Sequence, residues 1–308
     1  MIGFSEGFHD AAVAVINDGK ICYATHSERY SKRKHDKHLD ITAASTAQLL
    51  CHDGTIAFYE RPLLKRTRQF FAGQKAWRRE RHLSLKPTEY HSHHKSHAAA
   101  AFQTSPFDEA AIVVVDSIGE WDTTSIWTAE YGDYGKAVYK KRWSQWYPHS
   151  IGLWYSALTK WAGLRPLDEE YIFMGMAAFG NPVHMNVVER QLHKNNHKGA
   201  RIGDYDKCDI AKSAERILQL ELNTIFAKAA QYSKNICYGG GVALNCVVNT
   251  GLREMYNMWI MPCPGDAGGA LGAACLAYGG KVDFSPYLGY NIQKFCDPRR
   301  VVDGLLEK

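Results

Sequence analysis

The sequence predicts a duplicated α/β fold with two lobes, and three observations predict it. A buried-looking strand leading into a hairpin occurs twice, about a hundred residues apart, first in "AAVAVINDGKICYATH" and again in "EAAIVVVDSIGEWDTTSIWTAE". Two strand–glycine loop–helix units follow, "NICYGGGVALNCVVNTGLREM" and "MWIMPCPGDAGGALGAACLAYG". Amphipathic runs with three-to-four periodicity stand between these pieces, as helices layered on sheets require.

In chain order, "AAVAVI" is apolar and β-branched, "NDG" is hairpin chemistry, and "KICYATHSE" alternates as a returning strand does. "DITAASTAQLLCHDG" reads as a helix and "TIAFYE" as a short strand. A basic segment comes next, then an alanine-rich helix beginning in "HHKSHAAAAF". After the second hairpin, "IGLWYSALTKWAGL" is an amphipathic helix, and "FMGMAAFGNP" is punctuated by glycine and closed by an Asn-Pro breaker. Residues 184–209 are polar and basic, suiting surface loop and helix, and "SAERILQLELNTIFAKAAQYS" is a long helix. These elements divide the chain into an N-terminal lobe over 1–108 with a basic insertion at about 61–86, a C-terminal lobe over 109–283, and a linker-like tail over 284–308.

Composition narrows the class. With 45% hydrophobic residues in 308, the chain can bury a large core, and a disordered or fibrous chain is excluded. Eight cysteines without a C-x-x-C pair, several in apolar stretches, suit reduced thiols in a cytoplasmic protein. Glu6, His9 and Asp10 interrupt what would be a secretory apolar region, and no apolar run approaches the roughly 18 residues of a membrane span. The expectation is a soluble protein with no membrane partner.

The net charge of +5 is local. Nine Lys/Arg against the single acid Glu80 give residues 61–86 a charge of +8, which leaves the rest of the chain slightly acidic. Interleaved with Phe70, Phe71 and Trp77, this segment suits a polyanion, with Arg66, Arg68, Arg78, Arg79 and Arg81 as its contacts. A solvated amphipathic helix is the plainer reading.

Three histidines within five residues open the alanine helix. His93 and His97, four apart, share one helical face and make half of a metal site, with a third ligand required from elsewhere. A solvated histidine-rich helix start is the alternative. "YGGGVALN" and "PGDAGGALGAA" put glycines between strand and helix, where backbone N–H groups can approach a phosphate; tight turns need glycine as well. Asp266 stands at the second of these helix starts, where a carboxylate is ordinarily an N-cap. Asp116, Gly119 and Glu120 close a buried strand in a pattern suited to ribose or phosphate contacts.

"GFHDAAVAVINDGKI", "SERYSKRKHD", "HHKSHAAAAF", "VVVDSIGE", "MGMAAFG", "GGVALN" and "PGDAGGALGAA" occur in the order found in the NodU/CmcH/TobZ O-carbamoyltransferases, and the chain resembles that family over nearly its whole length. The resemblance implies the actin/Hsp70/sugar-kinase (ASKHA, RNase H-like) fold, shared with the threonylcarbamoyl transferases. It implies an enzyme that carries a carbamoyl group from carbamoyl adenylate, made from carbamoyl phosphate and ATP, to an acceptor hydroxyl. By match of motif, His93, His97 and Asp266 are the metal ligands, with Fe(II) or another divalent ion as the metal. His9 faces the transferred group and Lys34 lies near the nucleotide, both in catalytic positions. Asp116, Gly119, Glu120, Gly175, Gly240, Gly241 and Asn245 form the nucleotide cradle.

Two features depart from the family. Ile172 in "YIFMG" stands where a lysine is usual. The family's second, YrdC-like domain, which makes carbamoyl adenylate, has no counterpart in the sequence, so a separate YrdC-like protein is an expected partner. The basic segment favours a hydroxymethylated pyrimidine in DNA as acceptor, in a bacterial or virus-infected bacterial cell. A sugar or small-molecule hydroxyl is the rival, and a non-catalytic nucleotide-binding regulatory subunit is a third reading.

Overall fold

The computed structural model describes residues 1–7, 9–74 and 85–288. Its elements run β1 (Ile2–Ser5), β2 (Ala12–Asn17), β3 (Lys20–His26), α1 (Glu28–Ser31), α2 (Ile41–Leu50), β4 (Ile56–Phe58), α3 (Pro62–Phe71), β5 (Glu89–Tyr90) and α4 (His93–Gln103). The second half runs β6 (Glu109–Gly119), β7 (Asp122–Tyr131), β8 (Ala137–Trp146), α5 (Ile151–Trp161), α6 (Glu170–Met176), α7 (Met185–Leu192), α8 (Lys207–Ala230), β9 (Asn235–Gly239), α9 (Cys246–Met255), β10 (Asn257–Ile260) and α10 (Asp266–Tyr278).

The two sheets repeat one plan. The first has the order β3-β2-β1-β4-β5, and the second β8-β7-β6-β9-β10. In each, the first three strands are antiparallel and the last two join in parallel. The first hairpin turns on Asp18 and Gly19, both at positive φ, with Asn17 paired to Lys20. That is the two-residue turn that Asp-Gly favours. In the second, Gly119 pairs with Asp122 across Glu120 and Trp121.

What joins the halves is an exchange of helices. α4, which closes the first half, packs on β6, β7 and β9 of the second sheet; α10, which closes the second, packs on β1, β2 and β4 of the first. The two helices also pack on each other. The alanines of α4 permit this, since Ala98 and Ala101 face the second sheet while Ala99 and Ala100 meet Leu271, Ala274 and Cys275 of α10. At the crossing, a Cβ on Gly272 would stand 1.9 Å from the Ser96 carbonyl oxygen, so only glycine fits. α2 covers the first sheet through Ala43, Ala44 and Ala47, and α5 and α8 cover the second.

Three details differ from the sequence expectation. β8 carries no apolar run because it is an edge strand with no buried residue, so burial left no pattern to read. The "GVAL" run forms a single 3-10 turn, and the helix proper starts at Cys246. "YIFMG" lies inside α6, where its glycine is an ordinary helical residue. The cysteines among the described residues are all free, and no helix described is long and apolar enough to cross a membrane. Residues 289–308 of the expected tail lie outside the described residues.

Candidate metal centre

The four-residue spacing brings the rings of His93 and His97 together on the first turn of α4, with their Nε2 atoms 3.0 Å apart. α10 crosses α4 at this point and delivers its first residue. Asp266 Oδ1 lies 3.3 Å from His93 Nε2 and 3.4 Å from His97 Nε2. The N-cap of α10 is Gly265 and no side chain caps that helix, so Asp266 serves the imidazoles and not its own backbone. β6 supplies a fourth group: Asp116 Oδ2 is 2.9 Å from His93 Nε2 and 3.8 Å from His97 Nε2. All four residues are buried, with one ligand atom from each within 4.8 Å of the others.

This donor set fits a divalent cation. Bonds of about 2.0–2.2 Å to imidazole nitrogen and carboxylate oxygen place neighbouring ligand atoms roughly 3.0–3.5 Å apart. His93, His97 and Asp266 have that spacing, while Asp116 stands at 2.9 Å and 3.8 Å from the two imidazoles. Charge points the same way. Glu60 and Glu120 are buried beside His93, and the buried ammonium nearby, Lys65, donates to Glu60 Oε1 at 2.7 Å. Burial works against charge on His93, yet Asp266, Asp116 and Glu60 outweigh it and hold the imidazole well above the ordinary histidine range. Burial likewise opposes charge on Asp266, while His93, His97 and His9 hold it well below the usual carboxylate range. The outward nitrogen of His93, Nδ1, has no hydrogen-bond partner, and Glu60 Oε2 lies 3.9 Å away. A carboxylate behind the outer nitrogen of a ligating imidazole is the usual support of such sites.

His9 borders the cluster, its Nε2 3.6 Å from Asp266 Oδ2. Behind it runs a chain of polar groups. His9 Nδ1 meets Asp10 Oδ2 at 2.7 Å, Asp10 Oδ1 meets His35 Nδ1 at 2.9 Å, and His35 Nε2 meets Asp168 Oδ1 at 3.2 Å. Burial lowers the His9 imidazole, but the Asp10 hydrogen bond and the Asp266 charge outweigh it and raise it to about 9. Asp10 sits at φ 56, a left-handed conformation that turns its carboxylate back toward both rings.

Residues 70–206 and 208–275 match the family profile described as "Carbamoyltransferase N-terminus". The chain belongs to this family. An uncharacterized protein of Synechocystis sp. is 32% identical over 352 residues, covering 89% of this chain and 56% of that protein. The nodulation protein NolNO of Sinorhizobium fredii is 24% identical over 324 residues, covering 87% of this chain and 46% of that one. The chain therefore spans about half the length of the curated relatives it matches. Among solved structures, the activator of the 2-hydroxyisocaproyl-CoA dehydratase from Clostridium difficile, with bound ADPNP, gives a TM-score of 0.50 at 12% identity. It covers 90% of this chain and 94% of that one, a likeness of ASKHA-type fold alone.

The remaining expected site residues of this carbamoyltransferase-family chain fall into three places. Around the metal cluster, Gly119 lies under the histidines, where a Cβ would stand 2.4 Å from the His93 ring. Glu120 accepts from the backbone N–H of Arg61 at 2.7 Å and of His93 at 3.4 Å, so its carboxylate anchors two helix starts. The Gly241 N–H donates to Asp116 Oδ1 at 3.2 Å, and Gly240, at φ 90, presses against the Val115 carbonyl. The glycine loop thus fixes Asp116. Asn245 accepts from Val248 N–H as the cap of α9, and a side chain at Gly175 would meet open space.

Lys34 is mostly exposed and pairs with Asp168, which also meets Arg165 and His35, linking the two lobes. In the basic segment the expectation needs correction. Arg68, expected at a polyanion surface, is buried, with Nη1 3.4 Å from Gln74 and its guanidinium over the Tyr147 ring. Arg66 is exposed, while Arg78, Arg79 and Arg81 lie outside the described residues.

Sequence reasoning missed three members of the site: Asp10, His35 and Glu60. It also set Asp116 among nucleotide contacts and not beside the histidines. The signal for Asp10 and His35 was the adjacency of histidine and aspartate in "FHD" and "KHD". Nothing local marks Glu60.

Proposed function

We propose that this chain carries the transfer site of an O-carbamoyltransferase. A carbamoyl group moves from carbamoyl adenylate, formed from carbamoyl phosphate and ATP, to an acceptor hydroxyl. The observation that carries the reading is the convergence of His93, His97, Asp116 and Asp266 in a chain of this family, with His9 at their edge. Those four residues would hold Fe(II) or another divalent ion, and an ion held there supplies Lewis acidity toward carbonyl and phosphate oxygens.

The protein's own groups do the rest. Asp10 holds Nδ1 of His9, which leaves Nε2 to exchange a proton with the acceptor. Against burial, Asp10 and, after it, Asp266 favour charge on His9, so the imidazolium formed when Nε2 accepts a proton is stabilised. In the transfer, the acceptor oxygen bonds to the carbamoyl carbon and the bond from that carbon to the adenylate oxygen breaks. The hydroxyl proton passes to His9 Nε2, and AMP leaves. The adenylate would lie along the Gly240–Gly241 loop and Asn245.

For the acceptor, the basic segment supports a hydroxymethylated pyrimidine in DNA. Burial of Lys65 and Arg68 removes two of its cations from any phosphate contact, which gives a sugar or small-molecule hydroxyl a comparable claim. A regulatory subunit without activity has no need of four buried ligands with an oriented histidine. Carbamoyl adenylate comes from a separate YrdC-like protein or from the rest of a longer chain.

The test supplies the protein with carbamoyl phosphate, ATP and Fe(II), with and without a YrdC-like protein, and offers hydroxymethylated DNA or sugar acceptors. Transfer appears as a mass gain of one CONH unit on one acceptor class. No transfer from preformed carbamoyl adenylate to any hydroxyl would overturn the reading.

A further inference from the structure

A cavity of about 640 Å³ lies behind the metal helix and is lined by none of the four cluster residues. Its walls come from α3, the start of α4, the β6–β7 turn and the strands β7 and β8. Trp121, Trp146 and Tyr139 give it flat apolar faces, and Lys95 and Arg61 enter it as cations. The Lys95 ammonium stands 5.7 Å over the Tyr139 ring. Lys141, over Trp127, is already paired with Asp122. Lys95 is only partly exposed, and neither it nor Arg61 makes an ion pair among the described residues. Glu120 also lines the cavity, and its Oε1 accepts from the backbone N–H groups of Arg61 and His93.

We infer that this cavity is a second ligand site, separate from the transfer centre, for a small molecule that joins a ring with an apolar face, a nucleobase or the C–H face of a pyranose, to an anionic group. The aromatic side chains cover the ring by stacking, and the two unpaired cations, Lys95 and Arg61, take the anion. A bare anion lacks the apolar contact, and an uncharged ring leaves Lys95 without a counter-charge in a partly closed site. Two sources share this chemistry, a nucleoside monophosphate and a sugar phosphate. Occupancy reaches the metal centre through Glu120, which receives Arg61 N–H from the cavity side and His93 N–H from the cluster side. A second path from the wall runs through Ser125 Oγ, which accepts from Trp127 Nε1 at 2.8 Å and meets Nδ1 of His94, the residue after His93 on α4, at 2.7 Å.

The experiment titrates the full chain with cytidine monophosphate, glucose phosphate, cytidine, glucose and inorganic phosphate, following tryptophan fluorescence and heat. Saturable binding is expected for one of the two ring-bearing phosphates, at least about tenfold tighter than for inorganic phosphate or the uncharged ring, and weaker at high salt. Which phosphate binds identifies the source. Lys95→Met should weaken it by on the order of tenfold or more while metal stoichiometry at His93 and His97 stays that of the wild type. Should Lys95→Met not fold, Trp146→Ala, at a side chain 63% exposed, must show the same loss. Equal affinity for all five probes, no saturable binding, or unchanged binding in the folded variant overturns the inference. Carbamoyl transfer is not the readout, so its failure and the failure of this site are separate results.

Discussion

Gly272→Ala tests whether the crossing of α4 and α10 sets the metal centre. The added Cβ would stand 1.9 Å from the Ser96 carbonyl oxygen and 2.6 Å from its carbon, both backbone atoms of a buried helix. A carbon rests about 3.3 Å from a carbonyl oxygen, so the helices must part by roughly 1 Å or more. Ser96 lies between His93 and His97, and Asp266 heads the same helix as Gly272. The shift therefore enters the 3.3 Å and 3.4 Å separations between Asp266 and the two imidazoles. Metal–ligand bonds tolerate only about 0.2 Å. Overpacking of this kind costs about 1–3 kcal/mol. At roughly 2–4 °C per kcal/mol, the metal-free protein should melt several degrees lower. Loss of one carboxylate from the site should weaken a divalent ion by about 10–100-fold.

The assay is thermal unfolding with and without Co(II), whose visible absorption also reports the ligand set, together with a metal titration. Gly175→Ala is the control, since a Cβ there meets nothing within 4 Å. It should leave melting and metal affinity unchanged or raise stability slightly. If Gly272→Ala melts with the wild type, the helices do not touch as described. If it melts lower but binds Co(II) with unchanged affinity, the crossing does not position Asp266.

His97→Ala should cut divalent-ion affinity by more than about 100-fold, and a chelator should lower the wild-type melting temperature but not that of the variant. Asp10→Asn, which leaves the metal ligands untouched, should lower kcat with little change in metal content, and Asp10→Ala should lower it further; equal rates would remove Asp10 from the orientation of His9. Lys65→Met leaves the Glu60 carboxylate buried without its ammonium and should destabilise the fold by about 3–5 kcal/mol, read by chemical denaturation. Arg68→Ala should lower stability by about 1–3 kcal/mol without changing the salt dependence of any DNA binding, because that guanidinium is internal.

How far the sequence carries can be followed residue by residue. The hairpins, the glycine loops and the long helix were legible because each is a local pattern. An Asp-Gly turn, a β-branched run or a capped periodic stretch announces itself within about ten residues. The pairing of His93 with His97 was legible for the same reason, as one turn of a helix fixes it. β8 was not, because an edge strand with no buried residue has no burial period to show. The exchange of α4 and α10 between sheets could not be read either, since nothing in an alanine-rich helix names the sheet it packs on. Only the tight contact at Gly272 records it, and a glycine among alanines looks like any other small residue.

Asp116 shows where local reading stops and what replaces it. Its neighbours, a buried strand behind and a glycine ahead, are those of a phosphate or ribose contact, and they occur here at a place where Gly241 N–H holds one carboxylate oxygen. The other oxygen faces His93 and His97, 23 and 19 residues away in sequence. A carboxylate has two acceptors, and in this fold each goes to a different partner. The same strand end therefore ties the glycine loop to the metal cluster, so a movement of the loop cannot leave the cluster unchanged. Asp116→Asn separates the two roles. The amide keeps an oxygen for Gly241 N–H and loses the anionic ligand, so folding should survive while divalent-ion affinity falls by about 10–100-fold. A variant that instead unfolds would assign Asp116 to the loop, and one that keeps full metal affinity would leave His93, His97 and Asp266 as the working set.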